Sequence, residues 1–192
     1  MKYIIVGLHS SGKSDVIDYL EKWGVNCGHN FSDIPVVKDK IYGSKNYELY
    51  TTKDVNEVFE NEAYIFIQEK KFNNYKYYEG LSRYSFENNS VFSLSPDQLL
   101  ATSFTNIQEP ICFIWLDNTK SHRYNKYLSD RCQYNFNEIE ANETTDLSAF
   151  VKTIYSQKHL YFTNEEPIRV ASVIYSIVKH DDLLPFYLES YN

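Results

Sequence analysis

Residues Gly7-Leu8-His9-Ser10-Ser11-Gly12-Lys13-Ser14 carry the spacing G-x-x-x-x-G-K-[ST] of a phosphate-binding P-loop. Each fixed position has a physical reason. Gly7 and Gly12 allow the backbone to curl until successive N–H groups point inward at an anion. Ser10, Ser11 and Gly12 belong to that cradle, and the helix that follows adds the positive end of its dipole. Lys13 sets a point charge against the β- and γ-phosphates of a nucleotide, and Ser14 offers a hydroxyl to Mg²⁺. The chemistry expected of these residues is the binding of ATP with Mg²⁺ and the handling of its terminal phosphate.

Such a loop works only between a strand and a helix, and both are legible. Residues 2–6 are a β-branched and aromatic run that reads as a buried strand. After the loop, Val16, Tyr19, Leu20 and Trp23 fall at the i, i+3, i+4, i+7 spacing of an amphipathic helix. Further core segments are expected at residues 63–67, 90–94, 111–116 and 159–162. Helices are expected at 53–61, 96–103, 119–131, 137–157 and 167–180. In the last of these, Ile168, Ala171, Ile174, Tyr175 and Val178 form one apolar face, and Pro167 suits an early helical position. Strands alternating with helices imply an α/β fold with a parallel, five-stranded sheet flanked by helices, and a ligand at the carboxyl ends of its strands.

Composition narrows the function classes. The 192 residues suffice for one domain, and 43% hydrophobic content with 17% aromatic content supplies a sizeable core. A net charge of −7 provides no general basic surface for a nucleic acid, so no stable nucleic-acid binding is expected. No long apolar stretch predicts a membrane span, and the opening MKYIIVG is too short and too soon broken by glycine to read as a signal peptide. Cys27, Cys112 and Cys132 show neither zinc nor redox spacing, which fits a reducing cytoplasmic compartment.

Several segments in this order resemble the P-loop nucleoside monophosphate kinases, most of all guanylate kinase and its phage-encoded relatives. Asn46-Tyr47-Glu48-Leu49-Tyr50 resembles the family's D-x-Y-x-F element, and Tyr77-Tyr78-Glu79-Gly80-Leu81-Ser82-Arg83 looks like an altered form of its tyrosine-glycine element. The strand at 111–116, followed by Arg123 and Arg131, resembles the lid segment R-L-x-x-R, and Phe162-Thr163-Asn164-Glu165-Glu166 resembles V-N-D-D. The resemblance implies a single kinase-like domain over 1–192, with an acceptor-binding insertion at about 30–88 and a helical lid at about 118–145. It implies Arg123 and Arg131 as lid arginines beside Lys13, Asn164 near the adenine of ATP, and Tyr47, Tyr78 and Arg83 at the acceptor.

Departures from the family bear on the substrate. The stretch Ser32-Asp33-Ile34-Pro35-Val36-Val37-Lys38 stands where the family has T-T-R-x-x-R, so Lys38 replaces a bidentate arginine by a point charge. The guanine-reading glutamate falls near Phe66, with Gln68 and Glu69 close by, so a nucleoside monophosphate or modified nucleotide other than GMP is expected as acceptor. A third lid arginine would lie within 138–143, where Asn142 is the nearest equivalent. For the metal's acidic partner the resemblance favours Asp97, and the pattern of an acid ending an apolar strand favours Asp117, which also reads as capping chemistry within Asp117-Asn118-Thr119. The expected activity is transfer of the γ-phosphate of Mg·ATP to a small nucleotide. The alternative is a non-catalytic, regulatory nucleotide-binding protein on the same scaffold, and a homodimer is compatible with either. A third reading, an ATPase or GTPase acting on a protein partner, lacks its base-reading motif N-K-x-D.

Overall fold

The computed structural model describes residues 1–32, 47–49, 64–72, 75–100, 107–129, 135–154, 158–163 and 165–190. The β-branched opening run forms strand β1 (Lys2–Gly7), buried throughout. Four more strands pair with it in parallel: β2 (Cys27–Gly28), β7 (Val91–Leu94), β8 (Ile111–Asp117) and β9 (His159–Thr163). Their spatial order is β2-β7-β1-β8-β9. The fold is therefore α/β, with a five-stranded, all-parallel sheet flanked by helices.

Strand residues alternate between two apolar layers because successive side chains point to opposite faces. Tyr3 and Ile5 pack with α1 (Lys13–Lys22) and α6 (Pro167–Lys179), through Val16, Ile17, Leu20, Val170, Ala171 and Ile174. Ile4 and Val6 face the other way, with Phe92, Leu94, Phe113 and Trp115. Leu147 of α5 (Phe136–Ile154) packs against that second layer. Along the chain, α1 leads from β1 to β2 on one side, whereas β7 is followed by β8 on the other. The P-loop thus opens at the carboxyl end of β1, where the connections diverge and ligands of such sheets bind.

Two sequence expectations change place. Residues 64–67 of the run expected at 63–67 lie in a strand, β5 (Tyr64–Phe72), but in a separate four-stranded sheet of order β4-β3-β6-β5. There β5 runs antiparallel to β6 (Tyr75–Ser82), which in turn pairs with β3 (Asn30–Ser32), and β4 (Tyr47–Leu49) completes the sheet. An apolar run fixes a strand without fixing its sheet. The fifth parallel strand is instead the two-residue β2, where a Cβ on Gly28 would lie 2.3 Å from the Phe92 ring. The helix expected at 53–61 lies outside the described residues. The remaining helices are α2 (Arg83–Asn88), α3 (Pro96–Leu100), α4 (Lys120–Ser129) and α7 (Leu184–Ser190). Among the described residues no helix is long and apolar enough to cross a membrane. Cys27 and Cys112 are buried thiols, and burial pushes each up to about 12, so they stay protonated.

Candidate functional site

The loop closes as its glycines require. Gly12 caps α1 with φ +98°, a left-handed conformation that costs glycine nothing. Val16 N–H donates to Gly12 O at 3.1 Å, so the N–H groups of the turn before it are left for other acceptors. Gly7 lies opposite Leu116 of β8, and a Cβ there would stand 2.6 Å from both Leu116 O and Ser11 Oγ. Ser10 also adopts a left-handed φ of 58°. Lys13 lays its ammonium back over the loop, donating to Gly7 O at 2.6 Å and Leu8 O at 3.0 Å. Ser14 is exposed at the head of the helix. The hydroxyls of Ser10 and Ser11 are buried with no hydrogen-bond partner. Orphaned hydroxyl donors beside a glycine cradle and a lysine suit a phosphate, whose oxygens accept from all of them.

A second group of residues, just after β8 and on α4 and α5, braces the loop. Asn118, buried just after β8, donates from Nδ2 to Ser11 O at 2.7 Å. Arg123 of α4 donates from Nε to Asn118 O at 3.0 Å and from both terminal nitrogens to the Glu140 carboxylate of α5, through Nη2 at 2.7 Å. That hydrogen bond, reinforced by the guanidinium charge and opposed by burial, holds the Glu140 carboxyl below its ordinary value. Lys126 of α4 pairs with Asp15 of α1 at 2.8 Å. Glu143 of α5 accepts the backbone N–H of His9 inside the loop.

Arg123, expected as a lid arginine, belongs to this network. Its side chain is only 5% exposed and its fork is committed to Glu140, so it positions the loop through Asn118 and offers no guanidinium to a phosphate in this conformation. Asn118, Glu140 and Glu143 carry no sequence signal of their own. Asn118 reads as capping chemistry, and the cap of α4 proves to be Thr119, whose Oγ1 accepts from His122 N at 3.3 Å.

The two candidate metal partners lie at or past the carboxyl ends of the strands on either side of β1: Asp97 in α3 after β7, and Asp117 as the last residue of β8. Asp97 lies in the first turn of α3, at whose start the Ser95 N–H and hydroxyl both donate to Gln98 Oε1 at 2.9 Å. Asp117 is exposed and accepts the Tyr161 hydroxyl. Burial, and after it the bond and charge of Asp117, push that phenol up to about 12. Serine hydroxyl and carboxylate oxygens are the ligands Mg²⁺ takes, in a site completed by substrate phosphates and water. No group of three or more His, Cys, Asp or Glu that could hold a metal ion converges among the described residues.

Of the other residues expected at the site, Lys38, Arg131 and Asn164 lie outside the described residues. Tyr47 and Tyr78 occupy strands β4 and β6, and Arg83 is exposed at the head of α2 directly after β6. A cleft of about 350 Å³ lies between α1 and the head of α6, lined by Asp15, Asp18, Tyr19, Lys22, Glu166 and Pro167. It adjoins the loop, since the Pro167 ring would lie 3.1 Å from a Cβ on Gly12.

No protein-family model and no curated protein matches the sequence. Among solved structures, guanylate kinase from Anaplasma phagocytophilum is similar with a TM-score of 0.56 at 11% identity, over 94% of this chain and 85% of that one. A sugar kinase from Janibacter sp. matches with a TM-score of 0.47 at 11% identity, over 96% of this chain and 98% of that one. The first likeness is one of fold alone: the chain shares its α/β architecture with that structure.

Proposed function

We propose that the protein is an ATP-dependent phosphotransferase that moves the γ-phosphate of ATP to a nucleoside monophosphate or modified nucleotide other than GMP. The observation that carries this reading is the formed P-loop, with Lys13 reaching across it and orphaned serine hydroxyls beneath. Phosphoryl transfer asks a protein chiefly for positioning and charge neutralisation. Lys13 would exchange its two carbonyl acceptors for the oxygens of the terminal phosphates. The hydroxyls of Ser10 and Ser11 would donate to the same group. The cleft beside Gly12 suits the nucleoside end, because its carboxylates accept from amino and hydroxyl groups. Ser14 would hold Mg²⁺, with Asp97 or Asp117 reaching it through water. The ion, when bound, neutralises charge on the phosphates. Lys38, Tyr47, Tyr78 and Arg83 are proposed for the acceptor, and the resemblance assigns Arg131 and Asn164 to the lid and the adenine.

Formation of ADP from Mg·ATP across ribo- and deoxynucleoside monophosphates, modified pyrimidines included, tests the reading. Turnover with one acceptor, reduced about a hundredfold or more in Lys13→Ala, is the expected outcome. The commitment of Arg123 to Glu140 favours a second reading, a regulatory nucleotide-binding protein. ATP bound with no ADP formed for any acceptor would establish that reading and reject the first.

A further inference from the structure

Glu143 reaches the P-loop from the other side of the fold. It stands on α5 one turn beyond Glu140, and its carboxylate takes the His9 N–H. An inward N–H of a P-loop is a donor suited to a phosphate oxygen, and a carboxylate is the protein acceptor most like one. The loop's cation is likewise satisfied from within, on the carbonyls of Gly7 and Leu8. An acid therefore occupies the region of the lid where the resemblance calls for an arginine.

We infer that Glu143 is an autoinhibitory occupant of the phosphate site, an internal anion that a phosphate-bearing ligand must displace. The inference rests on the reading of the loop as a phosphate site. Two anions do not share one donor at close range, because their repulsion in a partly buried site is strong. Binding then requires the conformation in which Glu143 has left His9, and the measured dissociation constant is the intrinsic one divided by the fraction of molecules in that conformation. Glu140 precedes Glu143 on the same helix and holds Arg123. Displacing Glu143 therefore pulls on the pair that fixes the lid arginine, which couples occupation of the loop to rearrangement of α4 and α5.

Inorganic tripolyphosphate, the part common to every nucleoside triphosphate, is the probe. It is titrated calorimetrically into the wild-type chain, Glu143→Gln, Glu143→Ala and Lys13→Ala. The glutamine variant keeps the shape and removes the charge, and the alanine variant also removes the acceptor. The expected result is about tenfold tighter binding in at least one Glu143 variant, with binding lost in Lys13→Ala. Wild-type binding that is lost in Lys13→Ala yet unchanged in both Glu143 variants overturns the inference and leaves the phosphate site standing. Absence of binding in every protein overturns both. Binding confined to the Glu143 variants supports displacement in its strongest form.

Discussion

A methyl group at position 7 has no space to enter. It would press on Leu116 O and Ser11 Oγ at 2.6 Å each, and the carbonyl belongs to a central strand that cannot retreat without breaking its pairing. Overpacking of this kind costs about 1–3 kcal/mol, so Gly7→Ala should lose about 2 kcal/mol of unfolding free energy in urea titrations and distort the loop. Gly24 is the contrasting case. It has φ +80° with nothing within 4 Å of a Cβ, and its N–H donates to Glu21 O at 3.0 Å where α1 ends. Gly24→Ala should therefore cost only the left-handed strain, about 1 kcal/mol, and leave any tripolyphosphate affinity intact. The P-loop was legible in the string because its constraint is local: close packing at position 7 and a left-handed backbone at position 12 demand glycine at fixed spacing. Glu143 was not legible, because a carboxylate in a polar helix acquires a role only when tertiary packing brings it to His9.

At the scale of elements, a buried ion pair joins α4 to α5, beside the ring contacts of Tyr124 and Tyr127 with Phe136. Arg123 and Glu140 are 5% and 13% exposed on their side chains, and removing one member of such a pair leaves an uncompensated charge, at a cost of about 3–5 kcal/mol. Arg123→Met should fall in that range by chemical denaturation, while Arg123→Met with Glu140→Met should cost less than the single change. The pair also fixes a pH dependence. Because the Glu140 carboxyl is held below its ordinary value of 4.5, its contribution is complete above that value and is lost as pH falls through the depressed one. Unfolding free energies measured from pH 7 to pH 3 should fall less steeply below pH 4.5 in Glu140→Gln than in the wild type. Sequence periodicity placed both helices to within a few residues. The resemblance put Arg123 in the lid, and its pairing with Glu140 was not legible because an arginine in a polar helix looks the same whether it faces a cleft or a carboxylate.

At the scale of the molecule, the parallel sheet was legible from its β-branched runs, whereas β2 was not, being two residues with no period. Nor was the second sheet, whose strand β6 begins in a tyrosine-rich segment that resembled a substrate loop. How firmly the two sheets belong together turns on Leu81 at the end of β6. It is fully buried and shares one apolar cluster with Ile4, Val6, Phe92, Phe113 and Trp115 of the parallel sheet. Phe86 of α2 joins the same cluster and stacks on Phe92 at 5.2 Å. If the smaller sheet draws its stability from this contact, Leu81→Ala should cost about 2–5 kcal/mol and the whole chain should still unfold in one step. Trp115 is 6% exposed inside the cluster and Trp23 is 36% exposed. In a Trp23→Phe background, fluorescence therefore follows the parallel sheet alone while far-ultraviolet circular dichroism follows both. Coincident urea transitions, shifted together by Leu81→Ala, are expected of one cooperative unit. An early dichroism transition that leaves the Trp115 signal in place would instead make the smaller sheet a separable module, and any substrate residues it carries would then be positioned independently of the P-loop.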